Sequence, residues 1–288
     1  MKFTKLQGSG NDFVLVEADE AQRDWSQLAI AMCDRHFGIG ADGLLLVSPS
    51  KVADFKMRVF DPDGSEARAC GNGLRCLAAY AFRKGRAARQ LSVETISGIR
   101  RIELQGKDSP KGSIRVGMGE PRFKASDIPA VIETGKKLVD IKSMLGYPVT
   151  VEGIDLLLNL VSMGNPHAVY FWRRPVADFP LARLGPMVEH LSIFPDRVNF
   201  EVARVVNRKQ IEARVWERGV GETLACGSGA CAIIVAAQLY GYTGDKADIK
   251  LPGGVLGVTW DGAGEVFLSG PAEIIFNGEW PDETVKTD

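Results

Sequence analysis

Short apolar runs rich in β-branched residues recur along the chain: FVLVEA, GLLLVS, MRVFD, LSVETI, SIRVGM, EVARVV, ARVWE, GVLGVTW and VFLSG. Their length and composition predict strands. Two stretches break the pattern. Leu74, Leu77, Ala78 and Ala81 fall at helical spacing, as do Ala230, Ile233, Ile234 and Ala237. Gly85 and Gly241 follow them where a helix C-terminal glycine belongs. The turn-like segments DPDGSE and RGVGET lie ahead of them. Strands outnumber helices and do not alternate with them. The predicted fold class is therefore α+β (mixed α/β), with a central helix in each half.

The two helical stretches belong to an internal repeat. With a constant offset of 156, the separation of Cys70 from Cys226, Arg58-Val59 through Gly85 aligns without gaps on Arg214-Val215 through Gly241. Arg58 falls on Arg214, Glu66 on Glu222, Ala69 on Ala225, Cys70 on Cys226, Gly73 on Gly229 and Ala81 on Ala237. Upstream, Gly10-Asn11 is echoed by Gly164-Asn165. Two homologous, pseudo-symmetric domains are expected, residues 1–120 plus 271–288 and residues 121–270, with the active site in the cleft between them. Each copy reads as strand, glycine-rich turn and helix, with a cysteine at the helix N-terminus.

Composition narrows the function. The chain has 288 residues, 45% hydrophobic and 25% charged, the values of a globular protein of roughly two domains. A net charge of −1 gives no reason to expect a nucleic-acid partner or an anionic membrane surface. No apolar run is long enough to span a bilayer, and the first residues lack a signal-peptide pattern, so a cytoplasmic location is expected. Five cysteines, an odd number, then argue for buried or reactive thiols rather than a disulfide framework. Cys33, Cys76 and Cys231 read as buried structural residues. Zinc is disfavoured by the cysteine spacings and by the absence of a neighbouring histidine, and C-x-x-C is absent. No metal and no cofactor is expected. His36 and His190 show no evident partners in the sequence.

Cys70 and Cys226 carry the candidate chemistry. A helix N-terminus presents unpaired N–H groups and the positive end of the helix dipole, which favour a thiolate. The N–H groups of Gly71, Asn72, Gly227 and Ser228 can bind a carboxylate. One thiolate could remove a substrate α-proton while the opposite thiol protonates the other face, inverting the carbon. The N–H donors would stabilise the charge that develops as the proton leaves.

The segments GSGNDF, DRHFGIGADG, DGSEARACGNGLRC, MGNPHAV, FPDRVNFE and ERGVGETLACGSGACA give the chain a resemblance to the diaminopimelate epimerase family along essentially its whole length. That resemblance implies a pyridoxal-independent two-base epimerase of LL- and meso-diaminopimelate. It implies an amino-acid substrate, a cytoplasmic homodimer, and two similar domains with the site between them. It further implies that Cys70 and Cys226 exchange the protons. Gly71, Asn72, Gly227 and Ser228 would then bind the reacting carboxylate. Asn11, Asn165, Asn199, Glu217 and Arg218 would hold the substrate's polar ends, with Arg218 on the distal carboxylate and Glu217 on the distal ammonium. His167 would lie near the reacting centre. Two positions depart from the family pattern. Gly43 stands where glutamine is frequent, and Asp61 replaces the asparagine of F-N-x-D-G-S, a residue expected to touch the distal end of the substrate. A second carboxylate near a distal carboxylate is unfavourable. A racemase of another amino acid therefore stays open beside the epimerase, and a non-catalytic thiol redox or binding protein is the more distant reading.

Overall fold

The computed structural model describes residues 1–18, 23–67, 70–105, 113–131 and 144–281. Residue 69 of the repeat and residues 282–288 of the expected first domain lie outside them. The chain forms two compact units, Met1–Val116 with Gly270–Asp288, and Gly117–Ser269. Each is α+β, a mixed sheet with few helices.

The first unit contains β1 (Lys2–Gly8), β2 (Asn11–Glu17), β3 (Gly43–Ser48), β4 (Phe55–Phe60), β5 (Glu66–Ala67), β6 (Gln90–Thr95) and β7 (Gly98–Leu104), with β8 (Ile114–Gly119) running across its boundary. The second contains β9 (Tyr147–Val151), β10 (Ile154–Ser162), β11 (Pro166–Phe171), β12 (Asn199–Asn207), β13 (Gln210–Glu217), β14 (Gly221–Thr223), β15 (Lys246–Leu251), β16 (Gly254–Thr259) and β17 (Val266–Gly270). The returning strand β18 (Glu273–Glu279) completes the first.

Strand order is β18-β1-β2-β3-β4-β6-β7-β8 in one unit and β9-β10-β11-β12-β13-β15-β16-β17 in the other. The pairings are antiparallel except β2–β3 and β4–β6, matched by β11–β12 and β13–β15. Two parallel steps at the same places in both sheets are a topological signature of the duplication that the sequence repeat predicts.

Helix α1 (Trp25–Cys33) packs on β3 and β4 of the first unit, and α2 (Gly71–Arg83) lies against β1, β2, β3, β7 and β18. The second unit has α3 (Leu181–Glu189) and α4 (Gly227–Leu239). Helices α2 and α4 share the repeat offset at both ends. Both close with paired bonds at the expected glycines: Gly85 N–H to Phe82 and Arg86 N–H to Ala81, and Gly241 N–H to Gln238 and Tyr242 N–H to Ala237. Gly85 and Gly241 have φ of +67° and +72°, a conformation glycine adopts without a Cβ penalty. The chain therefore turns sharply out of each helix into β6 or β15.

Helix α4 is apolar on every side, as a helix enclosed by a sheet must be. Residues Ala230 to Ala237 form one core with Val161, Val169, Ala203, Val215, Ile249, Leu256 and Leu268 from the surrounding strands. Helix α2 is similarly enclosed but carries the fully buried Arg75, which donates to Ser9 Oγ at 3.2 Å, Asn72 Oδ1 at 2.8 Å and the Pro271 carbonyl at 3.3 Å. Its repeat counterpart is Cys231. Among the described residues no helix is long and apolar enough to cross a membrane.

The enclosure of α4 gives an expected stability contrast. Ile234→Ala, in the fully buried face, should cost about 2–5 kcal/mol and lower the urea midpoint. Leu239→Ala, 38% exposed at the helix end, should cost well under half as much. Equal losses would contradict the central position of α4.

Candidate active site

Each candidate thiol caps its own helix. Cys70 and Cys226 have extended backbones, with φ/ψ of −135°/114° and −112°/117°. The Gly73 N–H donates to Cys70 Sγ at 3.4 Å, and the Gly229 N–H donates to Cys226 Sγ at 3.3 Å. In this position a sulfur replaces the oxygen of an ordinary N-cap side chain. The turn before each helix is tied to its strand by an arginine–glutamate fork. Arg58 Nε and Nη2 donate to Glu66 at 2.7 and 2.9 Å, and Arg214 meets Glu222 at the same two distances. Such bidentate pairs fix orientation as well as distance.

An asparagine stands beside each thiol. Asn11 Oδ1 accepts from Asn72 Nδ2 at 3.0 Å and lies 3.8 Å from Cys70 Sγ, while its Nδ2 donates to Asp42 at 2.8 Å. Asp42 is held in turn by Arg35, which also binds Asp12. Burial would raise the Asp12 pKa, but hydrogen bonds from Arg35 and Lys5 override it and hold the carboxyl at about 2. In the second unit Asn165 Nδ2 donates to Ser228 Oγ at 3.2 Å, and Ser228 Oγ lies 3.4 Å from Cys226 Sγ.

The surroundings of Cys226 differ from the sequence expectation. A helix N-terminus alone would lower the thiol pKa. Here burial raises it well above the ordinary value, with the Glu217 and Glu201 carboxylates adding to the rise. The bonds from Ser228 and Gly229 oppose this without offsetting it. Burial and the two neighbouring carboxylates therefore favour the protonated form of Cys226. Burial likewise pushes Cys33 and Cys76 up to about 12, and Cys231 is buried as well.

The remaining residues assigned by resemblance fall into distinct places. Asn199 is buried, donating to the Pro166 carbonyl at 2.8 Å and accepting from the Arg218 N–H at 2.9 Å. It joins two segments of the second unit through one donated and one accepted bond. Arg218 is exposed and reaches the Asp196 carbonyl at 2.9 Å, so its guanidinium borders solvent. Glu217 accepts from Thr223 Oγ1 at 2.5 Å and also bonds Cys226. Burial raises its pKa. Its carboxyl thus faces the thiol, whereas the resemblance assigned it to a distal ammonium.

Asp61 occupies the position in the repeat that Glu217 holds in the second unit. It bonds Ser65 through its main-chain N–H at 2.8 Å and lies 3.5 Å from the Ser65 hydroxyl, while burial and then Asp63 raise its pKa. Gly43 opens β3, where an added Cβ would come within 2.9 Å of the Phe60 carbonyl, so the backbone here excludes a larger residue without a shift. His167, expected near the reacting centre, is fully buried, with Nδ1 2.7 Å from Glu201 Oε1 and Nε2 3.0 Å from Asn165 Oδ1.

Glu201, Asp42, Arg35 and Thr223 escaped the sequence reading, although FPDRVNFE, DRHFGIGADG and ERGVGET contain them. The one available signal was an acidic residue within an apolar strand, at Glu201. Among the described residues no cluster suits a metal ion.

A mixed sheet wound round a central helix, twice in one chain, is a fold also seen in solved structures. A hydroxyproline epimerase from Agrobacterium vitis superposes with a TM-score of 0.69 at 13% identity, covering 96% of this chain and 91% of that one. A phenazine biosynthesis protein of the PhzF family from Bacillus anthracis gives 0.71 at 17% identity, covering 98% and 99%. These low identities speak to fold alone. The sequence profile of diaminopimelate epimerase matches residues 3–124 and 159–275. A diaminopimelate epimerase from Pelotomaculum thermopropionicum is 45% identical over 288 residues, 99% of this chain and 100% of the relative. The chain belongs to the diaminopimelate epimerase family.

The raised pKa of Cys226 gives a direct expectation. Iodoacetamide should alkylate Cys226 in the native protein more slowly than free cysteine at pH 8, and the rate should rise roughly tenfold per pH unit while the thiolate fraction remains small. Peptide mapping measures this, and a plateau below pH 8 would contradict the assignment.

Proposed function

We propose that this chain is an isomerase that interconverts LL- and meso-diaminopimelate with Cys70 and Cys226 as its two proton-exchanging groups and without a cofactor. The observation that carries the reading is the duplicated thiol cap, in a chain whose family and 45%-identical relative bear the name diaminopimelate epimerase.

The chemistry follows from the two half-sites. A substrate α-carboxylate would take the main-chain donors of Gly71 and Asn72 and those of Gly227 and Ser228. Those fixed dipoles stabilise the negative charge that moves towards the carboxylate as the α-proton leaves. The reaction requires one sulfur at each face of the α-carbon. One sulfur takes the α-proton while the opposite thiol delivers its own to the other face, so the two exchange protonation states in each turnover. The opposite direction then begins from the enzyme in its exchanged protonation state. Asn11 and Asn165 orient the polar groups around the reacting centre, and the solvent-facing Arg218 suits a distal carboxylate. Lysine and cell-wall precursor synthesis, a cytoplasmic location and a homodimer accompany this reading.

Asp61 favours a second reading, a racemase acting on another amino acid, because a carboxylate would repel a distal carboxylate. Burial, and then the neighbouring Asp63, raise the Asp61 pKa, which eases that repulsion in the direction of a neutral carboxyl. Under the main reading, Asp61→Asn, which removes the carboxylate, should raise turnover of diaminopimelate; unchanged turnover would contradict the charge argument.

The test is α-proton exchange in deuterium oxide, followed by NMR with LL-diaminopimelate, lysine, ornithine, histidine and glutamate. Exchange confined to diaminopimelate supports the epimerase. Exchange only in another amino acid transfers the function to the second reading. Cys70→Ser and Cys226→Ser should each lower epimerisation by at least about 100-fold, the lower end of general acid–base contributions. Full activity in either variant would contradict the two-thiol mechanism.

A further inference from the structure

The two units share a scaffold, but the residues under their helix N-termini differ. Strand β2 runs parallel to β3 with Phe13 paired to Gly43, and β11 runs parallel to β12 with His167 paired to Asn199. Phe13 and Leu45 therefore occupy in the first unit the places that His167 and Glu201 occupy in the second. The space above them confirms the match. A Cβ added at Gly73 would lie 2.9 Å from Leu45 Cδ2, and one added at Gly229 would lie 2.8 Å from Glu201 Oε1. An apolar pair lies beneath the Cys70 cap, and a fully buried carboxyl–imidazole pair lies beneath the Cys226 cap.

That pair starts a chain of contacts ending at the thiol. Glu201 Oε1 meets His167 Nδ1 at 2.7 Å, and His167 Nε2 meets Asn165 Oδ1 at 3.0 Å. Asn165 Nδ2 donates to Ser228 Oγ at 3.2 Å, and Ser228 Oγ lies 3.4 Å from Cys226 Sγ. Each link constrains the next. Asn165 presents its oxygen to the ring, so Nε2 must carry a hydrogen. With Nε2 so occupied, the Nδ1–Oε1 contact needs a hydrogen of its own, on either atom. Neither group could be buried singly without a large cost. Glu201 Oε2 is buried with no hydrogen-bond partner among the described residues, an outlay the fold carries for this arrangement.

We propose that Glu201 is a positioning residue for the Cys226 half of the reaction. It fixes the hydrogen on His167 Nε2, which sets the Asn165 amide, which holds the Ser228 hydroxyl on the sulfur. Cys70, with Leu45 and Phe13 in the equivalent places, lacks this relay. The two thiols of a duplicated site are thereby made unequal. The proposal rests on Cys226 being one of the two exchanging groups.

Three variants test it: Glu201→Leu, Glu201→Gln and the double change His167→Phe with Glu201→Leu. Glutamine can still bond Nδ1 and leave a hydrogen on Nε2, whereas leucine cannot. Glu201→Leu should lower kcat by at least about tenfold, as lost outer-shell partners of reacting groups do, with KM within about twofold. Glu201→Gln should recover at least about fivefold of that loss. Alkylation of Cys226 relative to Cys70 in the same molecule should change at least about threefold in Glu201→Leu and little in Glu201→Gln. The double variant removes both buried polar groups together, so it should unfold at or above the wild-type temperature while remaining as slow as Glu201→Leu.

Wild-type kcat in Glu201→Leu with an unchanged alkylation ratio would overturn the proposal. So would equal changes at both cysteines accompanied by lower stability in all three variants. Full epimerisation by Cys226→Ser would instead remove the two-thiol reading on which the proposal stands.

Discussion

The proposed function depends on a sulfur standing where a helix N-cap oxygen would stand. A cysteine in that position receives a main-chain N–H and sits beside a row of further donors that can bind a carboxylate. The cap holds its orientation only if the preceding turn is fixed. In both units an arginine–glutamate fork ties that turn to the adjacent strand. The cap also needs a helix that cannot shift, which the surrounding sheet supplies by enclosing α2 and α4 in apolar contacts. Packing, turn and cap thus form one causal sequence from core to chemistry.

Duplication gives two such caps, but the residues beneath them have diverged. Leucine and phenylalanine support one thiol, while glutamate and histidine support the other. Glu217 stands by Cys226, and Asp61 holds the matching place in the first unit. Arg75 is buried in α2, where α4 has Cys231. The units share a backbone and differ in the residues buried within it.

Much of this was legible in the sequence. The gapless repeat located both helices, their glycine stops and both capping cysteines, because each depends on neighbours close in the chain. The family motifs gathered the asparagines, His167 and the Glu217-Arg218 pair. What escaped depended on contacts far apart in sequence. Glu201 meets His167 across 34 residues only because β11 and β12 run parallel in one register. Asn199 bonds the Pro166 carbonyl and the Arg218 N–H, contacts that join segments distant in the chain. At Cys226 two opposing influences on the thiol pKa differ in the same way. A cap position lowers it and is visible locally, whereas burial raises it and arises from the whole unit.

The central claim is that two groups, not one, move the protons. The most direct measurement follows deuterium in the first fraction of turnover from LL-diaminopimelate in deuterium oxide. Two thiols predict that nearly every meso product molecule carries solvent deuterium at the inverted carbon while the remaining substrate keeps its protium. Product that retains the substrate's own proton, or substrate that gains deuterium as fast as product forms, would contradict the account.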